Sequence, residues 1–392
     1  MENTKSAGVS RRDLLRMGTV IGGAVALGGV LAPVSAATSK PFSRPTRNNP
    51  LVLNTNENAY GCSMAAQRAV EKYKAKISSY PGEAESMLCT DISSTLQINE
   101  DSICLTNGAS AGIQAAVFAV NRMALNLNMP LRVLVSQPNS GLIDKYTQSM
   151  GIEVMGFGLD SKFNIDIDAM KEAERKFDGI SLVYISNPND PTSNIVSAND
   201  LYSWIRTANN STIFLLDERY AEYVTSSDFK SGIDMLKEGA KNLIVVRTFS
   251  RIFGLAGLRV GYVLSSSQLK RQIDDFLQIH GINVLGAVAA SASLKDFGFR
   301  QYCVNSNIKS RQIVTKALDS LELKYSPSHA NFIFHEVMSE RDVFMKALKD
   351  HNIIVDGQFA GYDSFFRVTL GTPDEMRYYT DTLKTLRKKR LV

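Results

Sequence analysis

The order of apolar and polar positions divides the chain into stretches of different character. Residues 17–36 carry no charge and form one Gly-rich, mildly hydrophobic segment, and residues 37–50 are polar and Pro-containing, an exposed arm. Further on, short β-branched or apolar runs alternate with stretches of helical periodicity. Runs at 131–136, 153–158, 181–186, 212–217, 243–248 and 261–264 predict strands. Segments 113–127, 143–150, 167–176 and 198–208, with apolar residues three and four apart, predict helices. Strand–helix–strand repetition of this kind predicts an α/β fold, a mostly parallel sheet covered by helices on both faces. Ligands of such sheets gather at the carboxyl ends of the strands. Beyond residue 289 the pattern changes to a helix at 299–321, a strand at 331–336, a helix at 340–352, a strand at 365–370 and a last helix from Pro373. That order predicts a smaller α+β domain. The expected organisation is a leader at 1–36, an arm at 37–60, a large domain at 61–288 and a small domain at 289–392.

The leader changes the picture of what folds. Before its apolar stretch stands Ser10-Arg11-Arg12-Asp13-Leu14-Leu15-Arg16, and after it Pro33-Val34-Ser35-Ala36-Ala37. This resembles a twin-arginine export signal with a small-residue cleavage site after Ala36. Twenty uncharged residues would also just span a bilayer, but the glycines and the Pro-then-small ending favour a cleaved signal over an anchor. The expected partner is therefore the twin-arginine translocase, the expected location periplasmic or secreted, and no stable membrane insertion is expected. The leader carries four basic and two acidic residues, so without it the formal charge of +5 becomes +3. So weak and scattered a bias predicts neither nucleic-acid binding nor a polybasic membrane patch. With 44% apolar and 21% charged residues the composition is that of a globular chain, not a collagenous or disordered one. Cys62, Cys89, Cys104 and Cys303 show no CxxC spacing and the four histidines form no cluster, so no metal site is expected.

Candidate chemistry concentrates in Arg247-Thr248-Phe249-Ser250-Arg251-Ile252-Phe253-Gly254-Leu255-Ala256-Gly257-Leu258-Arg259-Val260-Gly261-Tyr262. It follows an apolar strand and gathers hydroxyls, glycines and guanidinium groups. Such a loop can hold a phosphate, with hydroxyl and N–H donors and a bidentate arginine; it can equally be a Gly-rich connector with surface arginines. The stretch is similar to the lysine-bearing loop of fold-type I pyridoxal-phosphate (PLP) aminotransferases, in their histidinol-phosphate aminotransferase branch. Further blocks agree in order: Leu53-Asn54-Thr55-Asn56-Glu57-Asn58-Ala59-Tyr60-Gly61, Tyr80-Pro81, Thr106-Asn107-Gly108-Ala109-Ser110, Asn187-Pro188-Asn189-Asp190-Pro191-Thr192, Asp217-Glu218-Arg219-Tyr220 and Phe366-Arg367-Val368-Thr369-Leu370-Gly371-Thr372.

The resemblance implies a large domain with a mostly parallel sheet plus a small α+β domain, and a set of roles. Asp217 would pair with the cofactor's ring nitrogen, Tyr220 would donate to its phenolate oxygen, and Asp190 would lie beside that oxygen. Thr248, Ser250 and Arg259, with Ala109 and Ser110, would form a phosphate cup. Tyr60 would reach the phosphate of a neighbouring subunit in a homodimer. Arg367 would clamp the carboxylate of an amino-acid-like ligand, with Asn187 nearby.

The departures from the family pattern bear directly on function. Where the family places its cofactor-binding lysine this chain has Arg251, and a guanidinium stays protonated and forms no covalent link to the cofactor aldehyde. Neither Lys241 nor Lys270 is placed to substitute. Asp190 stands for an asparagine and would repel the cofactor's phenolate; Ser193 stands for a glycine; Ser140 stands for the aromatic that stacks on the ring. Three readings follow: a family member binding PLP or pyridoxamine phosphate non-covalently with impaired or altered chemistry, a non-catalytic pseudo-aminotransferase that binds a ligand or partner, and a new reaction of Arg251 and Asp190. The last lacks a visible nucleophile–base pair.

Overall fold

The apolar runs pair into one central sheet. The computed structural model describes residues 42–392, so the export-signal expectation for 1–36 lies outside the described residues. The strands are β1 (Leu51–Val52), β2 (Ile103–Thr106), β3 (Leu131–Ser136), β4 (Glu153–Phe157), β5 (Ile180–Ser186), β6 (Thr212–Asp217), β7 (Leu243–Thr248), β8 (Gly261–Ser265), β9 (Phe332–Glu336), β10 (Ile353–Ile354) and β11 (Phe365–Thr369). Seven of them form the sheet, in the order β2-β8-β7-β6-β5-β3-β4. β3 to β7 run parallel, while β8 is antiparallel to both its neighbours. The mostly parallel α/β sheet expected from the sequence is therefore present, with one reversed strand.

Residue alternation along the strands builds two cores. Leu134, Val183, Ile185, Phe214, Leu216, Val245 and Leu264 face one layer of helices. Val133, Val135, Leu182, Tyr184, Leu215, Ile244, Val246 and Val263 face the other. Every residue of β5, β6 and β7 is buried, as a central strand with helices on both faces requires. The predicted helix at 113–127 begins earlier, as Gly108–Leu127, and buries a small-residue face that includes Gly112, Ala115, Ala116 and Ala119. Helices Met64–Tyr73, Gly82–Leu96 and Val284–Leu294 and strand β2 were not expected; the last helix is so uniformly apolar that it shows no stripe.

The C-terminal part follows the predicted order: helix Phe297–Ser320, β9, helix Arg341–Asp350, β11 and helix Pro373–Lys388. Its core takes in Leu51 and Leu53 from the far end of the chain, because β1 pairs parallel with β10. The small element thus includes residues that the sequence pattern assigned to an arm. Helix Pro373–Lys388 starts on a capping box in which Thr372 accepts from the N–H of Glu375 and the Glu375 carboxylate accepts from the N–H of Thr372. Among the described residues no helix is long and apolar enough to cross a membrane.

Candidate functional site

The carboxyl ends of the parallel strands bring the candidate residues together. In register, Ser186 lies opposite Asp217, and Thr248 and Thr106 both lie opposite Gly261. The loops after β5, β6 and β7 and the start of helix Gly108–Leu127 therefore share one edge of the sheet.

Asp217, last residue of β6, is fully buried, and a buried carboxylate needs donors. Tyr184 donates its hydroxyl to Oδ2 at 2.7 Å. Arg219 donates Nε to Oδ1 at 2.8 Å and its backbone N–H to the same oxygen at 3.3 Å, and its Nη2 completes the ion pair 2.8 Å from Oδ2. Nη2 also reaches Ser140 Oγ at 3.2 Å. Burial disfavours the charged guanidinium, but Asp217 outweighs it and holds the Arg219 proton more tightly than in a free arginine. Tyr184, buried and beside the same carboxylate, keeps its proton well above the usual tyrosine range.

A second buried carboxylate, Asp190, centres the other half. Arg367 donates Nη1 to its Oδ1 at 2.5 Å and Tyr220 donates its hydroxyl to Oδ2 at 2.9 Å. Burial pushes the Asp190 carboxyl up, but Arg367, Arg219 and Arg251 together hold it below the ordinary value, so it is ionised. Tyr220 is fully buried, packs edge-on against Phe332 with ring centroids 5.0 Å apart, and accepts from Asn56 Nδ2 at 3.0 Å. Arg251 lies over the Tyr220 ring, 5.0 Å from its centroid, and donates Nη1 to the carbonyls of Thr55 and Asn56 at 2.6 and 2.9 Å.

The expected carboxylate clamp is occupied from within. Besides Asp190, Arg367 donates Nη2 to Asp356 at 2.8 Å and to the Asn54 carbonyl at 2.9 Å. Only its buried Nε, like that of Arg251, has no partner among the described residues. Asn187 is buried, and its side-chain oxygen accepts from the Val196 N–H at 3.0 Å, a tie that shapes the loop after β5. Tyr60 packs edge-on against Tyr302 of its own chain at 5.0 Å, and burial pushes its hydroxyl up to about 12. It is not part of the Asp190–Asp217 network.

The phosphate-cup residues do converge. Thr248 donates its hydroxyl to Ser250 Oγ at 3.0 Å. Gly261 lets the start of helix Gly108–Leu127 approach, because an added Cβ there would stand 2.8 Å from the Gly108 carbonyl carbon and 3.0 Å from the Ala109 nitrogen. Gly108, at φ +75°, lies beneath the Arg259 guanidinium, whose Nη2 would be 2.7 Å from a Cβ. Ala109 and Ser110 occupy that first turn, where unpaired N–H groups favour an anion. Arg259 is exposed, donates to the Ala256 carbonyl, and has no carboxylate partner among the described residues.

These residues fit the phosphate of PLP and not its ring. The Arg219 guanidinium extends from Asp217, the expected partner of the ring nitrogen, to Ser140, the expected stacking position. Arg219 is the site residue that sequence reasoning missed. Its signal was an arginine two positions after a strand-ending aspartate, in the block Asp217-Glu218-Arg219-Tyr220. Asp190, expected to repel a phenolate, is instead paired by Arg367.

Residues 48–383 match the model of the family "Aminotransferase class I and II". The chain is 32% identical over 332 residues to the histidinol-phosphate aminotransferase of Bacillus licheniformis, covering 84% of this chain and 90% of that protein. It is 30% identical over 335 residues to that of Moorella thermoacetica, covering 85% and 84%. A crystal structure of a candidate histidinol-phosphate aminotransferase from Erwinia carotovora atroseptica is 33% identical, with TM-score 0.86 over 90% of this chain and all of that one. The fold is also shared, at 20% identity and TM-score 0.77 over 91% of this chain and 99% of the other, with the Sinorhizobium meliloti histidinol-phosphate aminotransferase solved in complex with pyridoxal-5'-phosphate.

Proposed function

This chain belongs to the class I and II aminotransferases, and we propose that within that PLP-dependent family it binds phosphate-bearing and amino-acid-like ligands without lysine-dependent transamination. One observation carries the proposal: the cluster sets Arg219 on Asp217, Arg367 on Asp190 and Arg251 on the Thr55 and Asn56 carbonyls, and among the described residues it includes no lysine. When bound, PLP supplies an electron sink for an amino acid's α-carbon. The proton transfers at that carbon need a group that gives up and takes back a proton readily, which the family's lysine amine does and a guanidinium does not. The Nη1 of Arg251 is held by two backbone carbonyls, so it orients residues 55–56 and shuttles no proton.

Thr248, Ser250, Ala109, Ser110 and Arg259 remain to hold the phosphate of PLP or pyridoxamine phosphate non-covalently. The Nε–H groups of Arg251 and Arg367, without partners among the described residues, are among the donors left for a ligand carboxylate. The self-neutralised cluster favours the pseudo-aminotransferase reading, a binding protein, over altered catalysis. We further propose a homodimer, in keeping with the family, and export as a folded protein through the twin-arginine translocase on the strength of Ser10–Arg16.

Calorimetry of the purified chain with pyridoxamine phosphate, alongside a transamination assay, tests the reading. Binding with no amino-group transfer is the expected result; turnover at the rate of an ordinary aminotransferase, or no binding at all, refutes it. Residues 1–36 fused to a folded reporter should carry it out of the cytoplasm, and changing Arg11 and Arg12 to lysine should retain it; retention of the unchanged fusion refutes export.

A further inference from the structure

We propose that Arg219 is a built-in counter-ion that takes the place of a cationic ligand ring at Asp217, so that a ligand is held here through its phosphate and gains little affinity from such a ring. The inference rests on the reading that the cup around Arg259 holds a phosphate.

An ionised carboxylate offers about four acceptor positions. Asp217 already accepts from Tyr184 Oη, Arg219 Nε and Arg219 N, and Arg219 Nη2 stands 2.8 Å from Oδ2 in the same ion pair, so a ring N–H would have to compete with the guanidinium for the last position. Charge points the same way. The Arg219 and Asp217 side chains are 8% and 0% exposed, and the pair is neutral as it stands. A protonated ring brought beside them would face a guanidinium in a poorly screened interior. Space is the third term: Nη2 at 3.2 Å from Ser140 Oγ means that the guanidinium fills the gap between the two positions that would flank a ring. Ser140, too short to stack, serves Arg219 as an acceptor instead. The cup is untouched by this, because Arg259 makes no ion pair among the described residues and Thr248 and Ser250 bond each other.

Arg219 is thus a specificity-determining residue, and calorimetry on the whole chain tests it with two probes, inorganic phosphate and PLP. The unmodified protein should bind PLP less than about tenfold more tightly than phosphate, since the ring adds little. Arg219→Ala should gain at least about tenfold in PLP affinity while its phosphate affinity is held, because Asp217 and the ring space become available together. A smaller gain, or a tenfold ring preference in the unmodified protein, overturns the proposal. Should Arg219→Ala fail to fold by circular dichroism, the double change Asp217→Asn with Arg219→Ala clears the same space without an unpaired charge. It should gain at least about threefold for PLP, and no gain overturns the proposal. Phosphate binding by the unmodified protein separately tests the cup: its absence with a PLP gain in Arg219→Ala sinks the cup and keeps the counter-ion.

Discussion

Replacing Asp190 by alanine removes the centre of the second half-site, and its cost can be worked from the contacts. Arg367 loses a 2.5 Å partner, and the two side chains are 12% and 3% exposed. Breaking such a buried pair from one side costs about 3–5 kcal/mol, because the remaining charge stays desolvated. Arg367 keeps Asp356 at 2.8 Å, but that carboxylate is 36% exposed and better screened, which puts the loss near the lower end, ~3 kcal/mol. Tyr220 loses its acceptor Asp190 Oδ2 at ~1 kcal/mol more. Asp190→Asn keeps an oxygen for either donor and should cost ~1–2 kcal/mol. Urea unfolding at pH 7 reads these differences; with a slope of ~3 kcal/mol per molar, the alanine variant's midpoint falls by about 1 M. The acid limb supplies a second readout. The folded Asp190 carboxyl lies below the ordinary value, so the folded state binds fewer protons there. Its contribution is present above the unfolded value of about 3.9 and is lost as pH falls through the folded one. Asp190→Asn should flatten that slope. An alanine variant within ~1 kcal/mol of the parent, or an asparagine variant with an unchanged acid limb, refutes the view that this pair is ionised and cohesive.

Three further outcomes are expected. Arg251→Lys alone should not capture PLP covalently, whereas Arg251→Lys with Arg219→Ala should, read as the mass added after borohydride trapping; capture by the single variant refutes ring-site closure. Arg259→Ala should weaken phosphate binding by about tenfold with an unchanged thermal midpoint, because its guanidinium is exposed and without an ion pair; a drop in the midpoint contradicts a purely ligand-facing role. His335 is fully buried, bonded to the Tyr379 hydroxyl at 2.6 Å, and burial lowers its pKa to about 4. The unfolded chain therefore binds more protons between about 6.5 and 4, and stability falls by about 3 kcal/mol as pH drops through that window. His335→Gln should remove that part of the pH dependence of unfolding, and an unaltered profile refutes it.

Much of the architecture was legible along the chain. The runs at 131–136, 212–217 and 243–248 are strands with those bounds, because β-branched and apolar residues buried on both faces leave an unbroken signal. Helix Val284–Leu294 was not legible, since a helix buried all round has no polar face to reveal its period. Strand β2 is four residues long, too short to show a period. At the site, Thr248, Ser250 and Arg259 share one stretch of sequence, and the pairing of β8 with both β2 and β7 brings the 108–110 turn beside them. Arg367 with Asp190 was not legible, being a contact across 177 residues.

The sequence by itself determined the layered α/β sheet, the family to which the chain is related and the presence of arginine at position 251. Which charges satisfy one another was decided only in three dimensions. Residue type shows that Asp190, Asp217, Arg219 and Arg367 are ionisable, but not which pairs form, since pairing depends on distance and burial. Folding places Arg219 on Asp217 and Arg367 on Asp190 in an interior where an unpaired charge is costly, a pairing that only distance and burial could select.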